Sequence, residues 1–250
     1  MGVELYFFQP LGTNSGRVFL ALLEKGVSFS EHELDGPQFE HVRPGYLAIN
    51  PRGQVPALIH DGAVYTEGAP ICEYIDEAFP GPPLRPSDPR ARWAMRRWCR
   101  FIETDLGRAI MMIHWNRIVP RFVGERSRSE VEALIGLVPD PDRRRAWRSA
   151  YLQETPPEEL AESERRVRSG AAHIEAALAR QPWLAGPEFS LADIDLLNYF
   201  AFLATWSPQI VNAGATPHTV EWIRRMGERP AVQALRERTR LPPRTAGAGG

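Results

Sequence analysis

The spacing of apolar and polar residues divides the chain near residue 80. Before that point, short β-prone or alternating runs predict four strands, because apolar residues at every second position mark a half-buried strand. The predicted strands cover residues 3–8, 29–34, 55–59 and 63–65. One helix is expected from Asn14 to Lys25, where Gly26 ends it, and a second is capped by Thr66 and runs to about residue 79. The predicted order is β-α-β, a middle segment, then β-β-α.

A linker rich in proline and glycine, residues 82–88, is followed almost entirely by helical periodicity. The predicted helices cover residues 90–118, 129–152, 156–179, 190–211, 217–227 and 230–238. The helix from residue 190 is strongly apolar, and Ser190 and Asp193 form a capping arrangement at its start, so it is expected to be buried and central. We therefore predict an α/β domain at 1–81, an all-α domain at 89–240 and a disordered tail at 241–250.

Composition excludes several classes of protein. The formal net charge of −1 lacks the basic surplus that a non-specific nucleic-acid binder needs. The two cysteines, Cys72 and Cys99, form neither a CxxC pair nor a cluster with histidines, which argues against a disulfide scaffold and a metal site. An acidic N-terminus and the absence of an apolar run of about 20 residues predict a cytoplasmic protein with no membrane partner.

Residues 50–68, NPRGQVPALIHDGAVYTEG, carry the most informative motif. A proline at the head of a strand is unusual, and a cis bond at Pro56 would turn the backbone of Val55 outward to pair with an extended peptide. The helix that follows Thr66 would hold a carboxylate at its N-terminus, while Glu67 would accept hydrogen bonds from an ammonium group. These features match the cysteinyl centre and the γ-glutamyl end of glutathione.

The chain resembles the glutathione S-transferase superfamily over essentially its whole length. The resemblance rests on the order of elements together with NPRGQVPAL, TEG and the SLAD cap. INPRGQVPALIHDG, ICEY, LRPSDP and TPHTVEWIRRMGERPAV are similar to bacterial β-etherases, which use glutathione to cleave aryl ethers. The resemblance implies a thioredoxin-like N-terminal domain, an all-α helical-bundle C-terminal domain and glutathione as cofactor.

The resemblance to this superfamily also implies roles for individual residues. Val55, set by Pro56, would pair with the cysteinyl backbone, and Glu67 and Gly68 would hold the γ-glutamyl group. Gln54 and Arg52 are expected to help with the carboxylate of glycine. Gly68 departs from the family, which usually has serine there, so one hydroxyl donor worth about 1 kcal/mol is lost unless another group compensates.

The thiol-activating group is expected where the first strand meets the first helix. Thr13-Asn14-Ser15-Gly16 stands where redox relatives carry CxxC, which disfavours a thioltransferase. Ser15 is the first candidate because it aligns with the family's serine, and Asn14 and Thr13 are close alternatives, whereas Tyr6 lies inside the strand. A hydroxyl or an amide donor at a helix N-terminus would stabilise the glutathione thiolate.

The end of the long helix is expected to face the cleft between the domains. His114, Trp115 and Asn116 are the candidates for binding a small aromatic electrophile, which the thiolate would attack, and a position in the core is an equal alternative for Trp115. Cys72 is expected in the core, and the arginines at 143–145 on a solvated helix face. A non-catalytic binding or interaction module is the alternative function.

The resemblance further implies a homodimer that joins the first domain of one chain to the helical domain of the other. The sequence offers only apolar residues on the long helix in support, such as Trp93 and Trp98, which are equally consistent with a core position.

Overall fold

The structure is a computed structural model that describes residues 2–9 and 14–239. Thr13 and the tail at 241–250, on which two of the expectations fall, lie outside the described residues. Within the described ranges, no helix is both long and apolar enough to cross a membrane.

The N-terminal part is a four-stranded mixed sheet with helices packed on it. Its elements are β1 (Val3–Phe7), α1 (Asn14–Lys25), β2 (Ser30–Glu33), α2 (Pro44–Leu47), β3 (Ala57–His60), β4 (Ala63–Thr66) and α3 (Gly68–Ala78). The strands lie in the order β2-β1-β3-β4, with β2 parallel to β1 and the other neighbouring pairs antiparallel. Alternate residues of β1 are buried, as the period of two predicts. The predicted order β-α-β, then β-β-α, is confirmed.

The remainder is helical. Its helices are α4 (Pro89–Phe101), α5 (Gly107–Ile118), α6 (Arg128–Gly136), α7 (Pro141–Tyr151), α8 (Pro157–Leu178), α9 (Leu191–Trp206), α10 (Pro217–Gly227) and α11 (Pro230–Arg238). A π-helical turn at Ile102–Leu106 joins α4 to α5, so the long helix predicted at 90–118 has a widened turn in its middle. Helix α9 is buried, and the side chain of Asp193 accepts hydrogen bonds from the backbone N–H of Ser190 (3.0 Å) and from Trp222 Nε1 (2.9 Å).

Two helix predictions were wrong in extent. The single stretch predicted at 129–152 is two helices, because Pro141 begins α7 and the side chain of Asp140 caps it by accepting from the backbone N–H of Asp142 (2.9 Å). The helix predicted to end at 211 stops at Trp206, ahead of Ser207-Pro208, because the residue before a proline is disfavoured in a helix.

The two parts share one continuous apolar core. Buried side chains from β1 and α1 join those from α9 and α10 in a single cluster, which includes Cys72 as expected. Arg229 of the helical part donates from both Nε and Nη2 to the carboxylate of Glu24 on α1, at 2.6 and 2.7 Å. This contact and the shared core fix how the two walls of the intervening cleft face each other.

Candidate active site

A cleft lies between the sheet domain and helices α5 and α7. The space within it, including the solvent at its open side, is about 970 Å³. Its described lining residues are Phe8, Gln9, Asn14, Gly36, Pro37, Val55, Met111, His114, Trp115, Ile118, Val119, Arg143, Trp147 and Tyr151. The wall from the helical part is largely aromatic, and the wall from the sheet domain carries the start of α1 and the loop before β3. A concave, largely apolar cleft with a few polar groups suits a small organic ligand.

The loop before β3 has the expected backbone geometry. The Val55–Pro56 bond is cis, and Val55 lines the cleft. Tyr46 Oη and Asn50 Nδ2 both donate to the carbonyl of Gln54, at 2.6 and 2.7 Å, which holds the loop in place. Strand pairing begins only at Ala57, so the backbone of Val55 lies outside the sheet ladder.

The start of α3 lies beside this loop. Glu67 precedes the helix with φ 70° and ψ 117°, a backbone conformation that a non-glycine residue adopts at a cost of about 1–3 kcal/mol. Its exposed carboxylate is paired with Arg52, whose Nη1 lies 2.8 Å from Oε1. Strained backbone conformations are found mainly at functional sites. Here the strained residue, Glu67, directly precedes the first N–H groups of α3.

Arg17 explains the departure from the family at Gly68. A Cβ on Gly68 would lie 2.9 Å from Cδ of Arg17, closer than ordinary van der Waals contact. The arginine side chain is fully buried and occupies the space that a serine side chain would need. Glycine at position 68 therefore accommodates Arg17 behind the N-terminus of α3.

The two candidate thiol-activating side chains are placed differently. Ser15 is only 2% exposed, and its Oγ accepts from the backbone N–H of Phe8, with 3.5 Å between the nitrogen and Oγ. Asn14 is exposed and lines the cleft, whereas Ser15 is not among the lining residues. Successive residues of a helix point about 100° apart, so two neighbours do not face one cleft equally. The geometry favours Asn14.

The amide of Asn14 is oriented by two buried groups. Its Oδ1 accepts from Arg17 Nη2 at 3.1 Å and from Tyr199 Oη at 3.3 Å. Because a guanidinium can only donate, the oxygen of the amide must face Arg17, and the Nδ2 group is left as a donor for the cleft. Arg17 is itself held by Asp195 on α9, with 3.4 Å between Nη1 and Oδ1.

These neighbours keep Arg17 charged. Burial alone would lower the pKa of Arg17, but the opposing effects of Asp195 and Tyr199 raise it above its ordinary value. The Arg17 charge therefore stays behind Asn14 at neutral pH.

Helix α5 supplies one side of the aromatic wall. His114 and Trp115 line the cleft as expected, together with Met111 and Ile118. Asn116 does not, since it points to another face of α5, where its Nδ2 donates to the carbonyl of Met112 at 2.8 Å. The lining set follows the i, i+3, i+4, i+7 spacing of one helix face, a signal that was available in the sequence. Three consecutive residues cannot share one face.

Helix α7 supplies lining residues that sequence reasoning missed. Arg143, Trp147 and Tyr151 follow an i, i+4, i+8 spacing and face the cleft. The solvated face expected at 143–145 holds for Arg144 and Arg145, which are exposed, but is wrong for Arg143, which is half-buried. Consecutive arginines on a helix point in different directions, so one of them turns inward.

Comparison with known proteins identifies the family. A model described as glutathione S-transferase, N-terminal domain, matches residues 7–83, and one described as glutathione S-transferase, C-terminal domain, matches residues 108–230. Protein LigF of Sphingobium sp. strain SYK-6 is 35% identical over 96% of this chain and 95% of that protein. Glutathione S-transferase 3 of Zea mays is 30% identical over 94% of this chain and 93% of its own length.

Solved structures agree. The crystal structure of the β-etherase LigF superposes with a TM-score of 0.91 at 35% identity, covering 96% of this chain and all of that one. A glutathione transferase homologue from Sulfitobacter, solved with bound glutathione, gives a TM-score of 0.70 over 95% of this chain and 98% of its own, and at 24% identity it supports the fold alone. This chain belongs to the glutathione S-transferase family.

Proposed function

We propose that this glutathione transferase activates the thiol of glutathione with the side-chain amide of Asn14 and directs the thiolate at β-aryl ethers. The observation that carries the proposal is the orientation of Asn14, whose oxygen is held by Arg17 and Tyr199 so that its N–H donors are left for the cleft. Asn14 is also the first described residue of α1, where the helix N-terminus favours an anion.

The energies suffice for activation. A thiol of pKa about 8.5 is only a few per cent ionised at pH 7, and lowering the pKa by two units requires roughly 2.7 kcal/mol of preferential stabilisation of the thiolate. A hydrogen bond to a charged group contributes about 1.5–3 kcal/mol, and a helix N-terminus about 0.3–1 kcal/mol. The buried charge of Arg17 lies behind the same amide and acts in the same direction.

Glutathione is proposed to lie along the sheet-domain wall of the cleft. Val55 would pair with the cysteinyl backbone, while Glu67 and the N–H of Gly68 would hold the γ-glutamyl group. Arg52 and Gln54 would lie near the glycine end. The position of Val55 outside the sheet ladder and the backbone conformation of Glu67 at the start of α3 support this placement.

The aromatic wall is proposed to bind the acceptor. The thiolate attacks the carbon that bears the aryl ether oxygen and lies next to a carbonyl group. A carbon–sulfur bond forms, the carbon–oxygen bond breaks, and its electron pair leaves with a phenolate that then takes up a proton. Similarity to a β-etherase and the aromatic character of Trp115, Trp147 and Tyr151 support this choice of substrate.

Release of phenol from a model β-aryl ether ketone in the presence of glutathione tests the proposal. We expect one phenol for each glutathione conjugate formed, and no release from the corresponding alcohol, because only the ketone activates the neighbouring carbon. Glutathione binding without any thiolate formation would instead indicate the non-catalytic binding module. Turnover of chloro-nitroaromatics without ether cleavage would retain the transferase but reject the proposed substrate.

A homodimer in the cytoplasm completes the proposal. Trp93 on α4 is 61% exposed and Val64 on β4 is 44% exposed, which supports contact between the helical part of one chain and the sheet domain of another. Trp98 packs inside instead, against His173 and Phe101. Light scattering that gives the monomer mass at micromolar concentration would reject the dimer.

The state of the cysteines supports the proposed cytoplasmic location. Both cysteines are free thiols, which is the form that a reducing compartment maintains.

A further inference from the structure

Arg143 gives the cleft a positive charge within its aromatic wall. It is the one arginine or lysine among the described lining residues. The other basic side chain there, His114, carries no charge at neutral pH because burial lowers its pKa to about 4. Among the described lining residues, Arg143 is therefore the one side chain that carries a positive charge at neutral pH.

The guanidinium of Arg143 makes no direct contact with a carboxylate among the described residues. It lies over the ring of Trp147, with 5.4 Å between Cζ and the ring centroid, and its buried Nε has no hydrogen-bond partner among the residues that the structure describes. In the same part of the chain no acidic group lies within 4.0 Å of it. Burial lowers the pKa of Arg143 to about 10, and Arg52 acts in the same direction, against the opposing effects of Asp140 and Glu67.

Its neighbours on α7 are paired. Arg145 forms an ion pair with Asp142, and Arg148 forms one with Glu132, with 2.9 Å between Nη2 and Oε1. Arg144 donates to the backbone carbonyl of Val138 instead, with 2.8 Å between Nη2 and the oxygen. Among the described residues, Arg143 is therefore the arginine of α7 whose guanidinium has neither an ion pair nor a hydrogen bond, and it is the one that faces the cleft. Removing a charge from water without a partner is costly, and such a group is a candidate for binding a ligand.

We propose that Arg143 binds an anionic oxygen, a carboxylate or a phenolate, of a ligand held in the cleft. The inference rests on the proposed function in one respect, namely that glutathione and an aromatic acceptor are the ligands. Two sources of the oxygen are then possible: the glycine carboxylate of glutathione, or an anionic group of the acceptor. A planar guanidinium on an aromatic face suits both kinds of oxygen.

Matched pairs of unreactive ligands distinguish the sources by calorimetry. Naphthoate and naphthamide differ in the charge of an aromatic acceptor, and S-methylglutathione and its glycinamide, in which the carboxylate of glycine is replaced by a neutral amide, differ in the charge at the glycine end. The parent protein is expected to prefer the anionic member of at least one pair. Arg143→Met should reduce that preference by about 10- to 150-fold, the loss of one charge-assisted hydrogen bond.

Two further variants control for charge and folding. Arg145→Met removes the same charge from an exposed position two residues away and should leave both preferences unchanged. Arg143→Lys keeps the charge and should keep most of the preference. The pair that responds identifies the source of the oxygen.

The proposal is overturned if Arg143→Met leaves both preferences as in the parent, or weakens charged and uncharged ligands by the same factor. None of these ligands reacts, so a failure of the catalytic proposal does not affect the result.

Discussion

Arg17 Nη2 donates to the side-chain oxygen of Asn14 across 3.1 Å, and this contact joins the buried core to the cleft. On its other side Arg17 is held by Asp195 of α9. The helical part of the protein therefore determines how a side chain of the sheet domain presents its donors. The chemistry proposed for Asn14 depends on that support, which Arg17 of α1 and Asp195 and Tyr199 of α9 supply.

Tyr199→Phe tests this support with a small change. It removes the hydroxyl that donates to Asn14 Oδ1 and leaves the ring in the core. A neutral hydrogen bond contributes about 1 kcal/mol, so we expect the pKa of bound glutathione to rise by somewhat less than one unit. The pH profile of kcat/KM should move by the same amount, while the glutathione concentration at half-saturation changes little. An unchanged pH profile would show that Tyr199 does not position the amide.

Gly68→Ser restores the family's usual residue and is expected to reduce activity. The new Cβ would meet Arg17 Cδ at 2.9 Å, and overpacking of this kind costs about 1–3 kcal/mol. Displacement of Arg17 should also raise the pKa of bound glutathione. Gly45→Ala is the matched control, since a Cβ there meets nothing within 4 Å and should leave the unfolding midpoint in urea close to the parent's. Higher glutathione affinity in Gly68→Ser, at unchanged stability, would contradict this account of position 68.

Glu67→Gln tests the clamp for the γ-glutamyl ammonium group. Loss of the charged acceptor should weaken glutathione binding by about tenfold or more, as measured by calorimetry. Glu73→Gln removes a carboxylate from α3, the helix that follows Glu67. Glu73 pairs with Arg96, and this variant should bind glutathione as the parent does. Equal affinity of Glu67→Gln and the parent would show that Glu67 does not hold the ligand.

The fold was predictable because its local signals agree with its tertiary contacts. Alternation in β1, the glycine after Lys25 and the cap at Ser190 each determine an element locally, and the valine-proline pair indicated a cis bond. The break between α6 and α7 at Asp140 was missed because the prolines on either side of Asp140 were included in one continuous predicted helix. Helical periodicity continues on both sides of that break, so periodicity alone does not reveal it.

The site was predictable only in part. Sequence position placed both Ser15 and Asn14 at the start of α1, but a choice between them requires the direction of each side chain. Arg17 gave no local signal, since its partner Asp195 is distant in sequence. The inward direction of Arg143 likewise follows from how α7 packs across the cleft, which the sequence pattern does not contain.

Buried His114 predicts a dependence of stability on pH. Burial lowers its pKa to about 4, below the value of about 6.5 in an unfolded chain, so the unfolded state binds more protons between these values. Stability contributed by the neutral ring is present above pH 6.5 and is lost as the pH falls towards 4. Between pH 7 and pH 5 the loss should be about 2 kcal/mol. Urea unfolding of the parent and of His114→Phe at both pH values checks this, and equal losses in the two proteins would contradict it.

The ultraviolet absorbance of the glutathione thiolate, titrated with pH in the bound state, tests the central claim most directly. The titration compares the parent with Asn14→Ala and Ser15→Ala. If the amide of Asn14 activates the thiol, Asn14→Ala should raise the pKa of bound glutathione by about one to two units, whereas Ser15→Ala should leave it near the parent's value. The same pKa in Asn14→Ala and the parent, or a rise only in Ser15→Ala, would contradict the account.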